Sequence, residues 1–557
     1  PAKVQLVGFD PTADPLNTQS ILGLINTTTG VFGEELEDAT QYGIAEVFFA
    51  GASGDTGVQA VEPGTYQLSV SHGPRYSAFA QSVTVTASST TTVNAQIARV
   101  IDTAGFIAGD FHIHGINSPD SEVTTAERVV TEAAEGMDFM APSDHDIRVD
   151  YAPTIAALGL SSQLGSTINQ EITTFDYGHF NSWPLTIDPG MVNGGALDWG
   201  RAGVAPGMDF PSFGSFNLSP AEIYVAAHAD PKQNLIQINH MRSHFNTDGL
   251  DIDTAITPPL SHTSAASRRL DPGVGNLFDA GFDALEVWIG TDGRAGDQLH
   301  FVGENLGDWF NMLNQGILRT GVANSDTHDR RTTQINARTY VASAVTDPAL
   351  LSAEDETLAG NVVAGHAVGT NGPFVSITAT TPSTGQVAGL AVGQPTLVHA
   401  TDGNVTVVVN VRSPLWAEFD RVELYVNNGP QAYDHDAKPA TRNRYRVIAD
   451  QTQNAPADFL VTDVNDFPAI PGARHLEATA TFNLTLTEDA WLMILVRGTD
   501  GVSRPLFPVL PNSLQKAGNT TLADLTDGNL NESGVVALAY TNPLYIDYLK
   551  RTITDGR

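Results

Sequence analysis

Over residues 1–100, apolar and polar positions alternate with the period of a half-buried strand. In Tyr66-Gln67-Leu68-Ser69-Val70 one face is apolar and the other largely polar. The runs AEVFFAGA, GTYQLSVSHG and SVTVTASSTTTVNAQIARV repeat this texture and are rich in Thr, Ser, Val and Gly. They predict a small antiparallel β-sandwich. Over 101–373 the rhythm changes: short apolar strands alternate with helical stretches, which predicts a parallel sheet or barrel. One helix is expected from Ser121 or Glu122 to Glu135, with Val123, Ala126, Val129, Val130, Ala133 and Ala134 as its apolar stripe and Gly136 as a left-handed cap. A second covers Asn305 to Asn314 and stops before Gly316, and a third starts at Asp347-Pro348, an N-cap followed by proline. From 374 to 510 the alternation returns, in NVTVVVNVRS, RVELYVNN, ATATFNLTL and WLMILVRG, and predicts a second β-sandwich. Residues 511–557 contain ALAYTNPLYIDYL, too apolar for a free tail, and are expected to pack on the other domains. The expected chain is therefore multi-domain, α/β plus all-β.

Composition narrows the function. The formal charge is −35, from 28 basic and 63 acidic residues, so the chain repels nucleic-acid phosphate and anionic membranes. The acidic residues are scattered, which suits a solvated surface in salty or extracellular surroundings; a surface that gathers divalent cations is the alternative. No apolar run reaches the ~18 residues of a membrane span. With no cysteine, any metal must be held by nitrogen and oxygen ligands. Pro1 is not followed by the basic start and apolar stretch of a secretory signal. Export, to the periplasm or outside the cell, is expected instead from the acidic, Lys-poor, Cys-free composition.

The candidate chemistry lies in 101–373. GDFHIHG places His112 and His114 two apart on an expected strand, so both share one face while Phe111 and Ile113 take the other. FMAPSDHD ends an apolar strand in Asp144-His145-Asp146. Glu171 follows a short strand, His179 follows a glycine, NLIQINH ends in His240, and DALEVWIG carries Glu286. GVANSDTHD repeats the first spacing with Asp326 and His328. Each sits at or just past the end of an apolar strand. In a parallel barrel such ends converge on one face, so residues far apart in sequence share a pocket. Imidazoles and carboxylates together suit zinc, manganese or iron.

The order HIH, SDHD, Glu171 with His179, His240 and SDTH resembles the polymerase and histidinol phosphatase (PHP) superfamily, and within it the CehA/McbA family of metallohydrolases. HIHGINSPDSEVTTAERVVTEAAEGMDFMAPSDHD, DALEVWIG and VVAGHAVGTNGPFV carry the likeness, as do GTYQLSVSHGPRYS and ALAYTNPLYID near the two ends. The resemblance implies a distorted (β/α)7 barrel flanked by the two sandwiches, with two or three divalent ions (Zn, Mn or Fe). It implies that His112, His114, Glu171 and Asp326 hold the first ion. Glu171 would bridge to a second held by His179 and His240, and a third would use His145, His328 and Asp120. Met241 stands where proline is usual, and Ile289 where asparagine is expected.

The function expected from this is a secreted metal-dependent hydrolase of small-molecule esters in which water activated between two ions is the nucleophile. Phosphoesters come first, with carbamates, carboxyl esters or amides as the alternative. A non-catalytic surface or assembly protein keeping a metal-binding barrel is the third reading, and homo-oligomers are left open. Asp144 or Asp146 are expected to orient ligand imidazoles. His328 or a metal-bound water is expected to protonate the leaving group, and Arg242 and Arg338 to grip an anionic substrate. His228, His244, His262, His300 and His366, and His72, His399, His435 and His475 outside the barrel region, match no ligand motif.

Overall fold

The computed structural model describes residues 1–9, 42–174, 178–200, 217–241, 279–290, 300–314, 316–328, 337–428, 447–499, 502–504, 506, 509, 515–516 and 535–548. The chain opens with β1 (Ala2–Phe9), β2 (Tyr42–Ala50), β3 (Gly64–Ser71) and β4 (Phe79–Val85). With β24 (Gln515–Lys516) they form one antiparallel sheet in the order β24-β2-β1-β3-β4. Leu6, Tyr66, Leu68, Val70 and Val83 make its apolar cluster, but β3 is not the half-buried strand its alternation suggests: Ser69 and Ser71 on the polar face are buried as well. A second sheet facing this one, as a sandwich requires, is not among the described residues.

The site-bearing region follows. Its strands are β5 (Phe106–Asp110), β6 (Phe139–Met140), β7 (Gly165–Ser166), β8 (Gln170–Thr173), β9 (His179–Trp183), β10 (Leu235–Ile238), β11 (Ala284–Ile289), β12 (Thr320–Asn324), β13 (Arg338–Ala342) and β14 (Ala367–Thr370). Helices α1 (Thr125–Ala134), α2 (Ala152–Ala157), α3 (Pro220–Ala227), α4 (His300–Asn314), α5 (Pro348–Leu351) and α6 (Asp355–Val363) lie between them. Helix α1 begins at a capping box: Thr124 accepts from the Glu127 amide, and the Glu127 side chain accepts from the Thr124 amide. It ends where Gly136 takes φ +71°. Helix α4 starts five residues earlier than the sequence pattern suggests, at His300 rather than Asn305. Asp347 caps α5 as expected.

A single closed barrel is not what these strands form. They lie in two open sheets, one ordered β12-β11-β10-β9-β8 and the other containing β14-β13-β5-β6-β7. Pairing is parallel for β5–β6–β7 and β10–β11–β12. It is antiparallel for β8–β9–β10 and β5–β13–β14. The link from Thr173 to His179 is too short for the crossover that a parallel neighbour needs, so β8 and β9 turn back on each other. The two sheets touch through isolated parallel bridges, Ile113 with Thr327 and His145 with Glu171. Between them Phe111, Phe139, Trp183, Leu235, Val322 and Val341 share one core, with Phe111 stacked on Trp183 at 4.5 Å. Each such aromatic or aliphatic side chain contributes about 1.5–3 kcal/mol by burial.

The rest is strand-rich: β15 (Phe374–Thr381), β16 (Gln386–Gly389), β17 (Leu397–His399), β18 (Asn404–Pro414), β19 (Arg421–Val426), β20 (Gln451–Asn454), β21 (Thr462–Val464), β22 (His475–Thr485), β23 (Ala490–Arg497), β25 (Leu538–Thr541) and β26 (Leu544–Asp547). One antiparallel sheet runs β16-β15-β18-β22-β21. Its Val405, Val407 and Val409 share a core with Leu492, Ile494 and Val496 of β23. The sheet that contains β23 does not stop at a domain edge. β25 pairs with β23 on one side and with β14 on the other, so the ladder continues into the site-bearing region. None of the described helices is long and apolar enough to cross a membrane.

Candidate metal centre

The loops that leave β5, β6 and β12, with β8, β9 and the end of β10, bring nine side chains together. His112 and His114 lie just past β5 rather than on it, because the ladder ends at Asp110. Period-two geometry persists there: Phe111 and Ile113 are buried in apolar clusters while both imidazoles face the site. Glu171 and His179 lie within β8 and at the start of β9, not after strands. Four overlapping groups place ligand atoms within 4.8 Å of one another: His112, His114 and Glu171; His112, His240 and Asp326; His145, Glu171 and His179; and His114, Asp120, His145 and His328. Glu171 is the hub, with carboxylate oxygens 3.0–3.3 Å from nitrogens of His112, His114, His145, His179 and His240.

The groups overlap, so they neither match nor exclude the division into three ion positions that the family resemblance implies. His240 falls in a group with His112 and Asp326 and reaches Glu171 as well. His145 turns Nδ1 to Glu171 at 3.0 Å and Nε2 to Asp120 at 3.0 Å, so it touches two groups. Asp120 Oδ2 is also 3.0 Å from His328 Nε2.

The electrostatics follow from burial against close charge. At His112 burial opposes the imidazolium, but Asp326, Glu286 and Glu171 outweigh it and raise the pKa well above the ordinary value. At His114 burial wins and lowers it to about 3. Burial alone would raise the carboxyl pKa of Glu171, but His112, His179 and His145 hold it well below the usual range. Asp326 is likewise depressed against its burial, chiefly by His112. At His328 Asp120 and Asp326 overcome burial and raise the pKa to about 9.

These residues fit a divalent cation. His112 Nε2, His114 Nε2 and Asp326 Oδ1 are buried and make no hydrogen bond, although each nitrogen is 3.1 Å from that oxygen. Polar atoms so placed are costly unless a cation gathers them. The donor set is nitrogen and oxygen throughout, the chemistry of zinc, manganese and iron sites.

The supporting groups are not those expected from the sequence. Asp144 and Asp146 orient no imidazole: Asp144 accepts from the Gly115 amide and Tyr151 Oη, and Asp146 from the Thr173 amide and Trp199 Nε1. Each fixes one backbone amide and one aromatic side chain around the site. Arg338 is buried on β13, where it meets Glu135, and so does not face the site. Arg242 lies outside the described residues.

Glu286 on β11 does the orienting. Its Oε1 is 2.9 Å from His112 Nδ1 and accepts from Asn324 Nδ2 at 3.0 Å, while Oε2 accepts from the His240 amide at 2.6 Å. Arg128 on α1 joins the two loops with paired spacing. Its Nε donates to the His114 carbonyl at 2.8 Å and its Nη2 to the Thr327 carbonyl at 3.2 Å. The sequence singles out Glu286 in DALEVWIG but not its orienting role, and it gives no signal for Arg128. Among the remaining histidines, His228 meets Asn234 and Asp283, His366 meets the Leu390 carbonyl, and His72, His399 and His475 lie in the strand-rich flanks.

No family profile matches the chain, and no curated protein matches it. Among solved structures, it is similar to a two-domain protein from Bacteroides vulgatus described as containing a predicted PHP-like metal-dependent phosphoesterase. Identity is 14%, and the match covers 77% of this chain and 99% of that one, with a TM-score of 0.31. At that score the likeness supports neither a shared fold nor a shared activity.

Proposed function

We propose that the chain is a metal-dependent hydrolase of the PHP type, acting on phosphoesters of small molecules. The observation that carries the reading is the buried meeting of His112 Nε2, His114 Nε2 and Asp326 Oδ1 without hydrogen bonds beside the Glu171 carboxylate. The order of motifs along the chain supports it too. His112, His114, Glu171 and Asp326 would hold one ion, His179 and His240 would complete a second position with Glu171, and Asp120, His145 and His328 an outer one. Divalent ions, when bound, polarise a phosphoryl oxygen and acidify water enough to supply a nucleophile near neutral pH.

The chain's own groups supply the rest. Glu286 holds the proton of His112 on Nδ1, which leaves Nε2 free as a donor atom. Arg128 keeps the two paired-spacing loops at fixed separation. With a pKa raised to about 9, His328 carries a proton at neutral pH when no ion occupies its Nε2, so its roles as proton donor to a leaving oxygen and as ligand of the outer ion are alternatives. Phosphoesters are favoured over carbamates because several ligand groups joined by one carboxylate suit clamping both the attacking and the leaving oxygen. Export belongs to the same proposal and rests on composition; fractionation of the native host would place the protein.

The test is bound metal by elemental analysis, then turnover of a bis-aryl phosphate, an aryl phosphate and an aryl carbamate with and without chelator. Chelator-sensitive turnover of either phosphate supports the proposal. Turnover of the carbamate alone overturns the substrate class, and bound metal without any turnover favours a scaffold. His112→Ala should lose metal and activity while remaining folded by circular dichroism.

A further inference from the structure

β5 and β6, which lead into the metal centre, have a second cavity at their opposite, N-terminal ends. It measures about 270 Å³ and is formed where the segment after β3 meets the starts of β5 and β6. Phe106 opens β5 and Asp138 immediately precedes β6, so the cavity is separated from the His112 and His145 loops by those strands.

Its charge is unusual for this chain. Basic residues number 28 in 557, yet Arg75 and Arg99 both line this cavity. The acidic side chain in the wall, Asp138, is already neutralised: Arg75 donates to its two oxygens at 2.6 and 2.7 Å. His72 adds no charge, since burial lowers its pKa to about 4. That leaves Arg99, an exposed residue whose guanidinium makes no ion pair among the described residues and only a 3.4 Å contact with Thr103 Oγ1. The lining therefore carries one net positive charge within a strongly negative protein. Gln163 and Ser162 add neutral polar groups, and Phe106 and Met137 add apolar wall. The volume lies just below the ~300 Å³ at which ligand pockets usually begin, so only a small ligand fits.

We propose that this cavity binds a small organic oxyanion, a carboxylate or a phosphate monoester with a compact apolar body, with Arg99 as its charge partner. A planar guanidinium pairs two oxygens at once. The site is independent of the metal centre and of the hydrolase reading.

The experiment is calorimetric titration of the metal-loaded protein with benzoate and, separately, with phenylphosphonate, which has no ester bond to cleave, for the wild type, Arg99→Gln and Thr346→Trp. Thr346 is an exposed lining residue, and a tryptophan there would obstruct the cavity without touching charge. The expected result is saturable binding that survives metal chelation, weakens at least tenfold in R99Q and is lost in T346W. Comparing the two probes separates a carboxylate site from a phosphate site. Binding that vanishes on chelation, binding unchanged in both variants, or no saturable binding of either probe at millimolar concentration overturns the proposal.

Discussion

Replacing Glu286 by glutamine tests how the metal centre is held. The carboxylate serves His112 Nδ1, Asn324 Nδ2 and the His240 amide within one buried spot. A glutamine of the same shape offers one acceptor oxygen and one NH2, so at least one of these donors meets another donor. A charge-assisted hydrogen bond of this kind is worth about 1.5–3 kcal/mol. Loss of such a partner to a ligand histidine typically weakens metal binding 10–100-fold, or about 1.4–2.7 kcal/mol. A second effect opposes this. Without an ion, Glu286 is one of three carboxylates that keep His112 protonated, and a metal must displace that proton. E286Q relaxes the competition, most strongly where His112 would otherwise be protonated. The deficit in metal affinity should therefore be small near pH 6 and grow toward the full 10–100-fold as pH rises. Competition against a chromophoric chelator across pH 6–9 measures it. Wild-type affinity at pH 9, or a deficit that shrinks with rising pH, would refute the role given to Glu286.

Two further outcomes are expected. Glu132 on α1 is fully buried with neither carboxylate oxygen hydrogen-bonded; burial, with Asp110 and Glu135 nearby, raises its pKa well above the ordinary value. Because the folded-state pKa is the higher one, its contribution is complete below the unfolded value near 4.3 and is lost as pH rises toward the folded pKa, at about 1.4 kcal/mol per pH unit. Urea unfolding of Glu132→Gln between pH 5 and 7 should show a shallower loss of stability than wild type by about that slope, and parallel curves would contradict it. Thr124→Ala removes one half of the α1 capping box and should cost about 1 kcal/mol in the same assay; no change in midpoint would mean that Glu127 alone closes the helix.

Much of the local structure was legible in the sequence. In β18 and β22 burial alternates as the residue pattern does, because one face of each strand meets a core and the other meets water. Helix α1 was legible from its stripe and from Gly136, but its start was not: it begins at Thr125 behind the Thr124 cap, not at Ser121 or Glu122. The meeting of the paired-spacing motifs was legible from their common position near strand ends. What escaped was whatever depends on pairing at long range. That β25 sits between β14 and β23 follows from two partners that both precede it, one by well over a hundred residues and one by dozens, and no periodicity encodes it. The expected all-parallel closure failed at β9 because the direction of a strand is set by the length of its connection, which the apolar pattern does not weigh.

Backbone conformation at the site gives a physical reason why these loops escaped a strand reading. Asp146, His240 and Asp326 have φ of +52°, +28° and +49°, half of the six non-glycine residues with positive φ among those described. Such conformations cost of order 1–3 kcal/mol each and persist only where neighbours over-determine them. Each of the three is pinned through its own amide: Asp146 to the Glu171 carbonyl at 2.9 Å, His240 to Glu286 at 2.6 Å, and Asp326 to the His112 carbonyl at 2.8 Å. A glycine would relieve the strain at His240 or Asp326 but would remove the candidate ligand. The sequence therefore keeps a polar side chain at positions where local preference favours none. The hydrogen bonds that compensate run between residues of the same cluster, from β12 to the β5 loop and from β10 to β11. The strained turns and the convergence of donors thus form one arrangement: removing any one of the clamps should loosen the ligand geometry across the other loops as well as its own.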